Sequence, residues 1–151
     1  VDLYSLLTVC DDLDAFGAIG VFRYLEIYLL RNIPVKDLPE RVLQNIKTRF
    51  DNFNLRYSFL KEYMIKHTKR YEYTLNFYTR LSTCFNNKAA NKYIDTGTVE
   101  AVNWLIENFV TKKKHPDKII IGKPVKENSN YRDEFIHKFQ EEIRATKLSL
   151  Q

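Results

Sequence analysis

Six lysines, Lys112, Lys113, Lys114, Lys118, Lys123 and Lys126, fall within fifteen residues. That density can neutralise a run of phosphates, with an attraction that falls steeply as salt rises. Lys61, Lys66, Lys69, Arg70 and Arg80 extend the basic character upstream. Lysine is a flexible point charge rather than a planar fork, so the tract suits contact with a phosphate backbone better than reading of base edges. Asp11, Asp12 and Asp14 offer carboxylates to a divalent cation. No further carboxylate follows at the spacing of a calcium loop, and capping of the next helix accounts for them. His67, His115 and His137 stand outside any ligand or triad motif. Gly122-Lys123 lacks a phosphate-loop context, because Asp117 stands where the earlier glycine belongs and no Ser or Thr follows the lysine. The sequence therefore predicts no catalytic residue, no metal ligand and no cofactor.

The other chemistry is aromatic. Tyr57, Tyr63, Tyr71, Tyr73 and Tyr78 are more rings than one face of a helix can bury. Some are expected to lie in a groove or at the surface with wet hydroxyls, as tyrosines at protein interfaces do. Tyr71 and Tyr73, together with Trp104 as an anchor, form the predicted partner-binding set. The expected function is a non-enzymatic protein–protein interaction module of a larger intracellular protein, with nuclear or cytoplasmic location unresolved. The alternative is a helical nucleic-acid-binding domain in which Lys112, Lys113, Lys114, Lys118 and Lys123 contact phosphates and tyrosines stack on bases.

These side chains need a scaffold, and the spacing of apolar residues predicts an all-α bundle of about six helices, with a lysine-rich loop and one short extended segment before the last helix. A chain of 151 residues fits a single domain that buries roughly 70% of its unfolded surface, so no disulfide or metal is needed. Asp2 caps a helix to about Cys10, and Asp11 to Asp14 lead into a second reaching about Arg31. Gly17, Ala18 and Gly20 let a neighbouring helix approach closely. Asn32-Ile33-Pro34 ends that helix, and Asp37-Leu38-Pro39-Glu40 reads as a capping box for a third reaching about Phe50, with Asp51-Asn52 as a turn. Tyr57, Leu60, Met64, His67, Tyr71, Leu75, Tyr78, Leu81 and Phe85 then recur at helical spacing. They read as one helix over about 54–85 or as a hairpin broken at His67 to Arg70, and Ala89 to Ile94 add a short turn. A helix over about 99–111, the only strand candidate at Lys118 to Gly122, and a helix capped by Asn128 to Asn130 and running over about 131–148 complete the pattern.

The net charge of +5 is uneven: residues 52–95 hold eight basic against three acidic side chains, which an acidic partner can exploit. The most apolar run, Ala15 to Leu30, is short for a membrane span and contains Arg23 and Glu26, so no membrane partner is expected. Cys10 and Cys84 lie among apolar neighbours and read as small buried hydrophobes, consistent with a reducing compartment. A start at Val1 reads as a fragment of a longer polypeptide. Val1-Asp2-Leu3-Tyr4-Ser5-Leu6 resembles a stretch of the AT-rich interaction domain but lacks its glycine pair and following tryptophan. Gly97 with Val102-Asn103-Trp104-Leu105 resembles the aromatic-bearing helix of DEP domains, and the sequence beyond it diverges. Neither stretch transfers a residue role.

Overall fold

A computed structural model describes residues 2–92, 96–113 and 130–149. Among them the fold is all-α, as the periodicity predicts. Its six α-helices are α1 (Leu3–Asp14), α2 (Gly17–Leu30), α3 (Leu38–Tyr57), α4 (Lys61–Ala89), α5 (Gly97–Leu105) and α6 (Tyr131–Ser149). A 3-10 turn, Val35–Asp37, precedes α3, and a π-helical turn, Ile106–Val110, continues α5. The chain packs as two compact units, Val1–Ser82 and Thr83–Gln151. The predicted strand at Lys118 to Gly122 lies outside the described residues.

Within the first unit, the break between α1 and α2 departs from the sequence reading. Asp11, Asp12 and Asp14 occupy the final turn of α1 instead of capping α2. Carboxylates at a helix C-terminus oppose the dipole, and distant arginines compensate. Arg49 of α3 reaches Asp11 at 3.0 Å and Asp12 at 3.4 Å. Arg70 of α4 donates to the carbonyl oxygens of Leu13 at 3.0 Å and Phe16 at 2.8 Å, bridging the last turn of α1 and the N-cap of α2. Gly17 then turns the chain with φ 82°, a left-handed value suited to glycine. A Cβ on Gly20 would collide with the Ala15 carbonyl and lie 3.2 Å from Thr74 Oγ1. Thr74 donates to the Gly17 carbonyl at 2.9 Å, so the small residues of α2 do admit a neighbouring helix closely.

The end of α2 follows the sequence reading. Asn32 is left-handed, and the amides of Asn32 and Ile33 return to the carbonyls of Leu29 and Tyr28 at 3.0 Å each, before Pro34 excludes further helix. Asp37 holds the N-cap position of α3, but its side chain makes no capping hydrogen bond. Asp51 and Asn52 do not form a turn: α3 continues through them to Tyr57, because stopping there would pull Phe53, wholly buried, out of the core. The corner lies at Ser58 to Leu60. Beyond it α4 is unbroken through His67 to Arg70, so neither a single helix over 54–85 nor a hairpin broken at 67–70 describes this segment. His67 is buried and Arg70 is tied to α1, which explains why polar side chains there do not interrupt the helix. Ala89 to Ile94 add no helical turn up to Lys92: left-handed Asn91 closes α4, with Lys92 N–H returning to Asn87 at 2.8 Å, and Ile94 lies outside the described residues.

The first core centres on Phe16, Val21, Leu25, Leu38, Val42, Ile46, Phe53, Tyr78 and Leu81, all sealed from solvent. Burying such side chains stabilises by about 2 kcal/mol each before conformational entropy is opposed to it. In the second unit Ala101, Val102, Leu105 and Phe109 are buried, as are Phe135 and Phe139 of α6. Phe109 and Phe139 meet with centroids 5.8 Å apart. Asn130 caps α6 as its position predicts, accepting from the Asp133 amide at 2.9 Å. Cys84 is buried, whereas Cys10 is exposed on α1, contrary to its apolar sequence context. No helix of the described residues is long and apolar enough to cross a membrane.

Candidate functional site

The tyrosines divide by hydroxyl partner. Tyr78 is wholly buried, and its hydroxyl donates to the Val21 carbonyl at 2.7 Å. Tyr24, also buried, donates to Asn45 Oδ1 at 2.7 Å. Burial raises both phenols far above their ordinary range, so they act as neutral donors. Tyr71 is half-buried, with its ring stacked on Phe50 at 4.0 Å and nearly parallel to it. Tyr57 and Tyr63 close on Phe53 at 4.9 and 5.7 Å. Helix–helix packing therefore accounts for the rings of Tyr63 and Tyr71, while Tyr57 packs on Phe53 of its own helix and on Tyr63 at 5.9 Å.

Of the predicted partner-binding set, Tyr71 and Tyr73 lie in the first unit and Trp104 in the second. Two residues along a helix are separated by about 200° around its axis, so Tyr71 and Tyr73 leave α4 on different sides, and both are half-buried. Trp104 is half-buried too, with its ring edge-on to Phe109 at 5.4 Å and to Phe139 at 6.1 Å. Of the predicted phosphate-binding set, Lys112 and Lys113 are exposed, and Lys113 has a left-handed φ of 51°. Lys114, Lys118 and Lys123 lie outside the described residues.

A polar core flanks the aromatic cluster. His67 is buried beneath Tyr63, with ring centroids 4.3 Å apart, and Arg70 Nη1 lies 3.2 Å from its Nδ1. An arginine only donates, so Nδ1 is the acceptor and the ring is neutral. Burial, reinforced by Arg70 and Lys66, pulls the His67 pKa down from 6.5 to about 4. Across the unit, burial raises the Asp12 carboxyl despite Arg49, which lies nearer to Asp11 than to Asp12. These contacts engage two of the carboxylates that a cation site would need. Among the described residues no group of three or more His, Cys, Asp or Glu could hold a metal ion. The cleft bordered by Asp11, Tyr24 and Arg49 has about 30 Å³, room for little more than a water molecule.

What the sequence reading missed is the exposure of large apolar side chains on either side of the α3–α4 corner. Leu55 is 81% exposed, Phe59 73%, Ile65 60% and Leu60 42%. Leu60 was expected on the helical stripe with Met64 and His67; it stands in the corner just before α4, its carbonyl accepting from the Met64 amide at 2.9 Å. Leu3, Tyr4 and Leu7 on the first turns of α1 are also exposed. The surrounding charge is one-sided: residues 54–70 hold Arg56, Lys61, Lys66, Lys69 and Arg70 against Glu62 alone. Only the helical phase of Leu55 and Phe59, off the line of Phe50, Phe53 and Tyr57, signalled this in the sequence.

No protein-family model matches this chain, and no curated protein or solved structure matches it.

Proposed function

We propose that the chain is a non-enzymatic protein-interaction module whose docking surface is the apolar α3–α4 corner at Leu55, Phe59 and Leu60. The observation that carries this reading is the exposure of large apolar side chains beside a core already filled with aromatic residues. Scattered surface leucines are ordinary, but a phenylalanine this exposed, flanked in sequence by exposed leucines and by basic residues, suits an interaction site. Side chains this exposed are knobs, so the complementary surface supplies a hollow. Covering Leu55, Phe59 and Leu60 contributes on the order of 5 kcal/mol before association costs.

Charge selects the occupant. Five basic side chains against one acidic along residues 54–70 favour a partner protein whose apolar groove is bordered by carboxylates, and disfavour a second copy, which would bring like charge to like. The test compares the chain with a Leu55→Ser/Phe59→Ser/Leu60→Ser variant. These positions are exposed, so circular dichroism and thermal melting should be unchanged. The reading requires that a bound protein be lost with the variant, that its affinity for the native chain fall with salt, and that vesicles of phosphatidylserine bind neither form. Retention of the partner by the variant overturns it, as does dimerisation through the corner or vesicle binding that the serines abolish.

A further inference from the structure

We infer that the groove between α2 and α3, away from the apolar corner, is a binding site for a phosphate ester. The groove is open, has a volume of about 360 Å³ and is lined by Tyr28, Arg41, Gln44, Asn45 and Thr48. Arg41, Gln44, Asn45 and Thr48 share one face of α3 at helical spacing, with Tyr28 opposite on α2.

The chemistry follows from counting donors. Asn45 Oδ1 accepts from the Tyr24 hydroxyl at 2.7 Å and from Arg49 Nε at 3.0 Å. Arginine only donates, so the amide orientation is fixed by chemistry, and the Asn45 NH₂ is the corner left to face outward. Its anchor is firm, because Tyr24 is buried and Arg49 is held by Asp11 and Asp12. Arg41, one turn earlier on the same face, adds a guanidinium, and Arg31 lies over the Tyr28 ring at 6.0 Å. Gln44 and the Tyr28 hydroxyl supply further N–H and O–H groups. No carboxylate lines the groove. A preoriented amide, a guanidinium and an absence of negative charge select an oxyanion. The Tyr28 ring beside these donors offers apolar surface to an organic group carried on the anion, which an ester has and inorganic phosphate lacks.

Asn45→Asp separates this site from the fold. The substitution keeps an oxygen to accept from Tyr24 and Arg49 while replacing the outward NH₂ with a second carboxylate oxygen. Titration of the full chain by amide NMR should use inorganic phosphate, a nucleoside 5′-monophosphate and a phosphoserine tetrapeptide as probes. The site predicts saturable shifts at Tyr28, Arg41 and Asn45 with at least one of the two esters, tighter than with inorganic phosphate. Loss of about tenfold or more is expected in both Asn45→Asp and the surface variant Arg41→Gln. The better ester identifies the source, small molecule or modified peptide. Non-saturating shifts, shifts spread over the lysines, inorganic phosphate binding as well as both esters, or binding unchanged in Asn45→Asp would each overturn the assignment.

Discussion

Acidification provides a quantitative test of the buried aromatic cluster. His67 is 5% exposed, packed beneath Tyr63 and beside Arg70. Its folded pKa of about 4 lies below the ordinary 6.5. Between those values the unfolded chain binds a proton that the folded chain refuses. The slope of unfolding free energy with pH is therefore positive in that window. Stability is fully present above pH 6.5, declines as pH falls towards 4, and stops declining from this source below it. A shift of this size corresponds to about 3 kcal/mol, reached at a rate no steeper than about 1.4 kcal/mol per pH unit. Asp12 works in the opposite sense: its raised pKa favours the protonated folded form, contributing stability at low pH that is lost as pH rises. Subtracting a His67→Gln variant isolates the histidine. Urea unfolding read at amides of the first unit, at intervals from pH 7.5 to 4, should show the native chain losing about 3 kcal/mol more than His67→Gln. Direct NMR titration of the ring should give a midpoint near 4. Parallel pH profiles for the two proteins, or a ring titrating near 6.5, would refute the burial argument.

Three further outcomes are expected. Arg70→Met removes the donors to the Leu13 and Phe16 carbonyls and should lower the unfolding free energy of the first unit by about 3 kcal/mol in urea titration. Gly20→Ala places a methyl group against the Ala15 carbonyl and should cost about 1–3 kcal/mol, measured as a lower urea midpoint, although alanine is the better helix former. If the chain binds nucleic acid through its basic tract, changing Lys112, Lys113 and Lys114 to glutamate should abolish a salt-sensitive affinity for DNA or RNA in fluorescence anisotropy; micromolar or weaker binding indifferent to those changes removes that alternative.

The helical class was legible because it depends on local periodicity. So were the close approach at Gly17 and Gly20, the break at Asn32 to Pro34 and the Asn130 cap, each set by residues within a turn or two. The misread boundaries were decided at long range. Asp11 to Asp14 look like an N-cap until Arg49 and Arg70, arriving from α3 and α4, make the end of α1 tolerable for them. Asp51-Asn52 reads as a turn until burial of Phe53 outweighs local preference. The apolar corner was hidden for another reason: a leucine's type does not say which way its helix faces, and at Leu55, Phe59 and Leu60 the chain changes direction. Tyrosine count alone was a poor guide to surface, since Tyr24 and Tyr78 reach interior acceptors and Tyr71 stacks on Phe50.

The docking role of the α3–α4 corner is tested most directly by a photoreactive phenylalanine analogue at position 59, with the same group at the exposed Lys47 position of α3 as control. The account predicts light-dependent linkage from position 59 alone to one protein species, which when purified binds the native chain and fails to bind Phe59→Ser. Linkage to lipid, to a second copy of the chain, or equally from both positions would contradict it.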